Sequence, residues 1–214
     1  LPWTREDQVM ELLSRALVAR SRGDAAEAVR LLSEGYELYQ VDEYAFRISA
    51  WSSSHAVRCK WLDKAILLAR GYDRPYLDRS VARLLSGDAK GAVDDATRYL
   101  ELGGDPLHGL CNRAGAYTVL GNVELALADL DRVVEAHPTL AVAYKLRGDA
   151  WAKKPDGARA LADFDRAIDL GGDHSSFFVA RAEVRASTGD RGGALKDLDR
   201  AVAMDGNSAH VASE

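Results

Sequence analysis

Apolar residues recur three and four positions apart along most of this chain, in runs such as Ala126, Leu130 and Val133 or Ala160, Phe164 and Ala167. That spacing places them on one face of a helix of 3.6 residues per turn, where a half-buried strand would alternate. The runs are separated by short polar breaks that start with a helix stop and go on to a helix start. Gly23-Asp24, Gly87-Asp88, Gly121-Asn122 and Gly189-Asp190 are breaks of one kind, and Pro155-Asp156 takes their place once. A second kind is longer: Gly103-Gly104-Asp105-Pro106, His137-Pro138-Thr139, Gly171-Gly172-Asp173 and Asp205-Gly206-Asn207. Glycine accepts the left-handed dihedral that closes a helix, and Asp or Thr can cap the next one. The pattern predicts an all-α protein of twelve helices in six hairpins, with no sheet.

The two kinds of break alternate with a fixed period. Tyr144 and Phe178, Arg147 and Arg181, Ala160 and Ala194, and Ala167 and Ala201 each lie 34 residues apart. Stepping back by the same interval gives Leu110, Arg113, Ala126 and Val133, then Tyr76, Arg79, Ala92 and Tyr99. Repeats are therefore expected at 73–106, 107–140, 141–174 and 175–208, preceded by 9–42 and a degenerate block of 30 residues, 43–72. Residues 209–214 read as the start of a further helix or the end of a segment from a longer array. The eighth position holds Ala16, Ser80, Ala114, Gly148 and Ala182, and the twentieth holds Ala28, Ala92, Ala126, Ala160 and Ala194. Small side chains at both let two helix axes approach to ~8–10 Å.

An aromatic residue near the start, small residues at the eighth and twentieth positions, and a bulky residue at the twenty-fourth resemble the tetratricopeptide repeat. The block from 141, with Tyr144, Gly148, Trp151, Ala160, Phe164 and Ala167, fits best. The resemblance implies an α-solenoid of about six helix-turn-helix repeats wound into a right-handed superhelix. It also implies a concave groove, lined by the first helices, for a peptide or partner protein. Carried over by position, that groove takes Tyr44, Arg47, Trp51, Leu77, Val81 and Leu84 at an apolar, aromatic end. His108, Lys145 and Asp149 stand at an end of mixed charge. Only Asn112 and Lys145 echo the clamp by which one branch of the family holds a C-terminal carboxylate, so a receptor of that type is not expected.

One position departs from the family. Arginine stands seventh in five blocks, as Arg15, Arg79, Arg113, Arg147 and Arg181, where a buried Leu is the family's habit. Four blocks carry an acid at the twenty-third position, Asp95, Asp129, Asp163 and Asp197. Bidentate pairing across each hairpin would suit partly buried arginines, so a structural ladder is the expected use.

Composition narrows the function. Of 214 residues, 28 are basic and 33 acidic, a net charge of −5 that disfavours nucleic acid as a partner. No apolar stretch has the length of a membrane-spanning helix, and the first residues lack the order of a signal peptide. A cytoplasmic, reducing location is the expectation, with Cys59 and Cys111 unpaired. The five histidines are scattered, and HExxH, phosphate-cradling glycine loops and G-x-S-x-G are missing. His108 and Cys111 share a helix face without a third group to orient them, which is too little for a nucleophile. Acid pairs such as Asp129 and Asp131 sit on helices, where a hard cation needs a loop of converging oxygens. No catalytic residue, metal or cofactor is therefore expected.

The expected function is a non-catalytic scaffold or adaptor that binds a peptide or protein in the groove, with self-association through the terminal repeat as a further option. The alternative is a regulatory arm of a larger enzyme or signalling protein whose catalytic domain lies outside this chain. An RNA-reading helical repeat ranks third.

Overall fold

A computed structural model of the chain describes residues 5–38, 54–68, 71–154, 157–171 and 174–211; of 5–7, 9–10, 37–38, 68 and 205–211 it describes the backbone only. Among these residues there are eleven helices and no strand. Two compact units divide the chain, Leu1–Asp105 and Pro106–Glu214.

The first unit contains α1 (Arg5–Ser21), α2 (Ala25–Leu38), α3 (His55–Leu68), α4 (Arg74–Leu85) and α5 (Ala89–Glu101). Helices α1 and α2 pair as a hairpin, α4 and α5 as another, and α3 packs against α4. The loops form as their sequence dictates. Gly87 adopts φ +90°, and the next N–H, from Asp88, donates back to the Arg83 carbonyl at 2.8 Å, which satisfies an orphaned helix end. The Asp88 carboxylate then accepts the Gly91 N–H at 2.9 Å and so starts α5. Gly23-Asp24 repeats both halves of this device between α1 and α2.

The second-helix register holds through the shortened block. Asp63 of α3 lies sixteen residues before Arg79 and bonds to it, and Leu62 and Ala65 are buried as second-helix core residues. The four-residue shortfall therefore falls between Leu38 and His55. The helix expected near 43–51, with Tyr44, Arg47 and Trp51, lies outside the described residues. Tyr36 and Trp61 join α2 to α3 edge-on, their ring centroids 5.1 Å apart, with the Lys64 ammonium over both rings.

The second unit contains α6 (Pro106–Val119), α7 (Val123–Ala136), α8 (Ala141–Ala152), α9 (Gly157–Gly171), α10 (Ser175–Ser187) and α11 (Arg191–Val211). They form three hairpins in chain order, and each first helix after the first packs on the second helix before it. The first helices also adjoin, because α8 touches both α6 and α10. The small-residue positions do what their size permits: Ala114, Gly148 and Ala182 on first helices and Ala126, Ala160 and Ala194 on second helices are buried. At Gly148 the approach is tight, since a Cβ would stand 2.7 Å from the ring of buried Phe164.

Candidate functional site

Arginines of the seventh position close four hairpins from within. Nε and Nη2 of Arg147 donate to the two carboxylate oxygens of Asp163 at 2.8 and 2.7 Å. The same bidentate pair recurs as Arg79–Asp95, Arg113–Asp129 and Arg181–Asp197. The aspartates are buried, and the guanidinium groups lie over the aromatic ring three residues earlier, Tyr76, Tyr144 or Phe178, at 5.5–5.7 Å. Hydrogen bonding to Asp163 raises the Arg147 pKa despite the opposing cost of burial.

A second set of acids completes the network. The third nitrogen of Arg79, Arg147 and Arg181 donates to Asp63, Asp131 and Asp165, each sixteen residues upstream on the preceding second helix. An Asp-x-Asp pair thus serves two arginines, one inside its own hairpin and one in the next. The sequence reading assigned only the first acid of each pair. The signal was present, since Asp63 and Asp95 stand at equal distances on either side of Arg79. Arg83 and Arg185 add a further nitrogen to Asp95 and Asp197. Arg15 departs from the scheme: Leu31 occupies the place of its acid, and the guanidinium is exposed.

The groove residues named from the family pattern fall into two sets. On α4, Leu77 is buried in the core, Leu84 is half-buried and Val81 is exposed. On the second unit, His108 is exposed on α6, while Lys145 and Asp149 meet one turn apart on α8 at 2.7 Å. Burial pushes the Asp149 carboxyl above the usual range; its bond and charge interaction with Lys145 pull it back, and Glu183 on α10 adds to the rise. Val142 precedes this pair on the same stripe of α8, and Val179 lies on α10; both are exposed. The face formed by α6, α8 and α10 therefore sets a partly desolvated ion pair among open apolar side chains.

A separate recess of about 300 Å³ lies where Asp131 of α7 meets Arg147, Trp151, Arg159 and Asp163. Arg159 covers the Trp151 ring at 4.6 Å and Lys154 lies at 5.6 Å. Among the described residues no group of three or more His, Cys, Asp or Glu is placed to hold a metal ion, and no helix is long and apolar enough to cross a membrane. Neither Cys59 nor Cys111 is in a disulfide, and burial pushes the Cys59 thiol up in pKa.

Stacked hairpins with small residues at the crossings define a helical-repeat protein, and comparison with solved structures sharpens the class. No protein-family model matches the chain. A tetratricopeptide repeat protein from Parabacteroides merdae superimposes with a TM-score of 0.78 at 14% identity, over 92% of this chain and 78% of its own. MamA from Desulfovibrio magneticus matches at 0.58 and 17%, over 94% and 97%. YrrB, described as a tetratricopeptide repeat protein with an unusual peptide-binding site, matches at 0.56 and 19%, over 86% and 98%. The fold is that of the tetratricopeptide repeat.

Proposed function

We propose that the chain is a non-catalytic interaction module that binds a peptide or a segment of a partner protein on its first-helix face. The observation that carries this reading is the Lys145–Asp149 pair, half-buried between exposed Val142 and Val179. A peptide laid along α6, α8 and α10 buries apolar side chains against the valines and completes the desolvation of the pair. His108 and Glu183 supply polar selection at its flanks. In the first unit the exposed edge of α4, Val81 with Leu84, is the corresponding apolar contact, and Tyr44, Arg47 and Trp51 extend it in the reading by position. The fold shared with YrrB supports a peptide ligand. The arginine ladder takes no part, because its donors are already spent on carboxylates.

The test begins with a random peptide library selected against the intact chain. Peptides that bind should lose about tenfold or more in affinity to Lys145→Glu or Val179→Asp, since hot spots concentrate binding energy in few residues. The melting temperature should stay near that of the parent chain. Selected peptides that bind all variants equally well would exclude this face.

A further inference from the structure

Two exposed surfaces of this chain carry, at matching positions, the principal apolar and charged residues of the two halves of the joint that stacks one hairpin on the next, with Ser14 in the place of Leu146 and Ala180. In the second unit that joint has a fixed composition. Leu127 and Leu130 of α7 pack with Leu146 and Ala150 of α8, and Phe164 of α9 packs with Ala180 and Val184 of α10. Leu127, Leu130, Ala150, Phe164 and Val184 are all buried by this contact. Beside the apolar seam, Asp131 reaches Arg147 and Asp165 reaches Arg181.

Leu195 and Leu198 of α11 occupy the places of Leu127 and Leu130, yet they are 62% and 42% exposed. Val202, one turn further on, is 72% exposed. Asp199 stands where Asp131 and Asp165 stand, exposed and without an ion-pair partner among the described residues. The other half is on α1. Val18 holds the place of Ala150 and Val184 but is 47% exposed, with Leu17 open beside it. Arg15 holds the place of Arg147 and Arg181, with Leu31 where its own acid would be and no ion pair among the described residues. A recess of about 400 Å³ lined by Glu11, Ser14, Arg15, Arg22, Glu27 and Leu31 occupies the place of the one at Arg147, Trp151, Arg159 and Asp163, which Asp131 enters from the preceding hairpin. Glu27 stands where Arg159 does and its charge interacts with Arg15, while Arg22 adds a second cation to the rim.

We infer that this chain associates head to tail, α11 of one copy packing on α1 of the next, with Asp199 of the first entering the recess beside Arg15 of the second. The occupant is a second copy because one sequence supplies both the uncovered leucines with their carboxylate and the uncovered valine with its arginine, at matching positions. The contact is heterologous, so it adds copies in series instead of closing a symmetric dimer. The inference is independent of the peptide-binding face, whose residues it does not use.

Sedimentation velocity of the whole chain, from low micromolar to near-millimolar concentration, tests it. The weight-average coefficient should rise with concentration past the value for a dimer, and less steeply at high salt. Arg15→Asp and Asp199→Arg each place like charges in the joint and should weaken association by about tenfold or more. Both residues are exposed, so the helical circular dichroism signal should be kept. An equimolar mixture of the two variants, and the double variant alone, should associate again because each restores an opposite-charge pair. A chain monomeric at all concentrations overturns the inference, as does a dimer that neither single substitution weakens. Failure of the mixture and the double variant to recover would also overturn it.

Discussion

Each ladder arginine holds two acids of very different burial, which separates geometry from energy. Arg181 bonds Asp197, whose side chain is 4% exposed, and Asp165, at 54%, both at 2.6 Å. Distance alone would rank the two alike. Water screens the outer pair, whereas loss of the inner carboxylate leaves Arg181 and Arg185 partly buried and facing an apolar gap. Asp197→Ala should therefore cost about 3 kcal/mol, and Asp165→Ala no more than about 1 kcal/mol. Urea denaturation of the two variants checks the ranking, and equal losses would mean that burial does not control the ladder. The inner half of this network was legible in the sequence because Arg and Asp recur at fixed places in one block. The outer half crosses a block boundary and escapes a reading made one block at a time.

At the level of the helix, hydrophobic period and break residues were enough to anticipate the five hairpins that the described residues contain. The cause is local: Gly-Asp closes one helix and caps the next through bonds within five residues. Groove residues were less legible, because which face of a first helix stays open depends on its neighbours. Leu77 matches the groove pattern yet is buried, whereas Val81, one turn later, is exposed. The same dependence gives one substitution opposite signs on two helices. At Gly148 the added methyl of Gly148→Ala meets the Phe164 ring at 2.7 Å. Overpacking of ~1–3 kcal/mol outweighs a helix-propensity gain of at most ~1 kcal/mol. Gly192, exposed in the first turn of α11, has nothing within 4 Å of its would-be methyl. Gly192→Ala should thus stabilise by about 0.5 kcal/mol. Thermal melts of both variants decide the point; a stabilised Gly148→Ala would mean that Phe164 yields freely.

For the molecule, the equal reach of each bridging arginine to an acid sixteen residues before it and another sixteen after it has a genealogical meaning. Excising residues 141–174 removes Arg147 and Asp163 together, and brings Asp131 to sixteen residues before Arg181, whose own Asp197 is untouched. The shortened chain inherits a complete set of partners without any compensating change. Excision of one residue more or fewer turns the incoming helix by ~100° and points Arg181 away from Asp131. The 34-residue excision should keep a helical spectrum and a cooperative melt, and the 33-residue one should lose cooperativity. If both melt alike, the bridges do not set the repeat length. A gene encoding such an array can lose or gain a copy of 141–174 by unequal exchange and keep the arginine ladder paired, provided that the exchange respects this one interval.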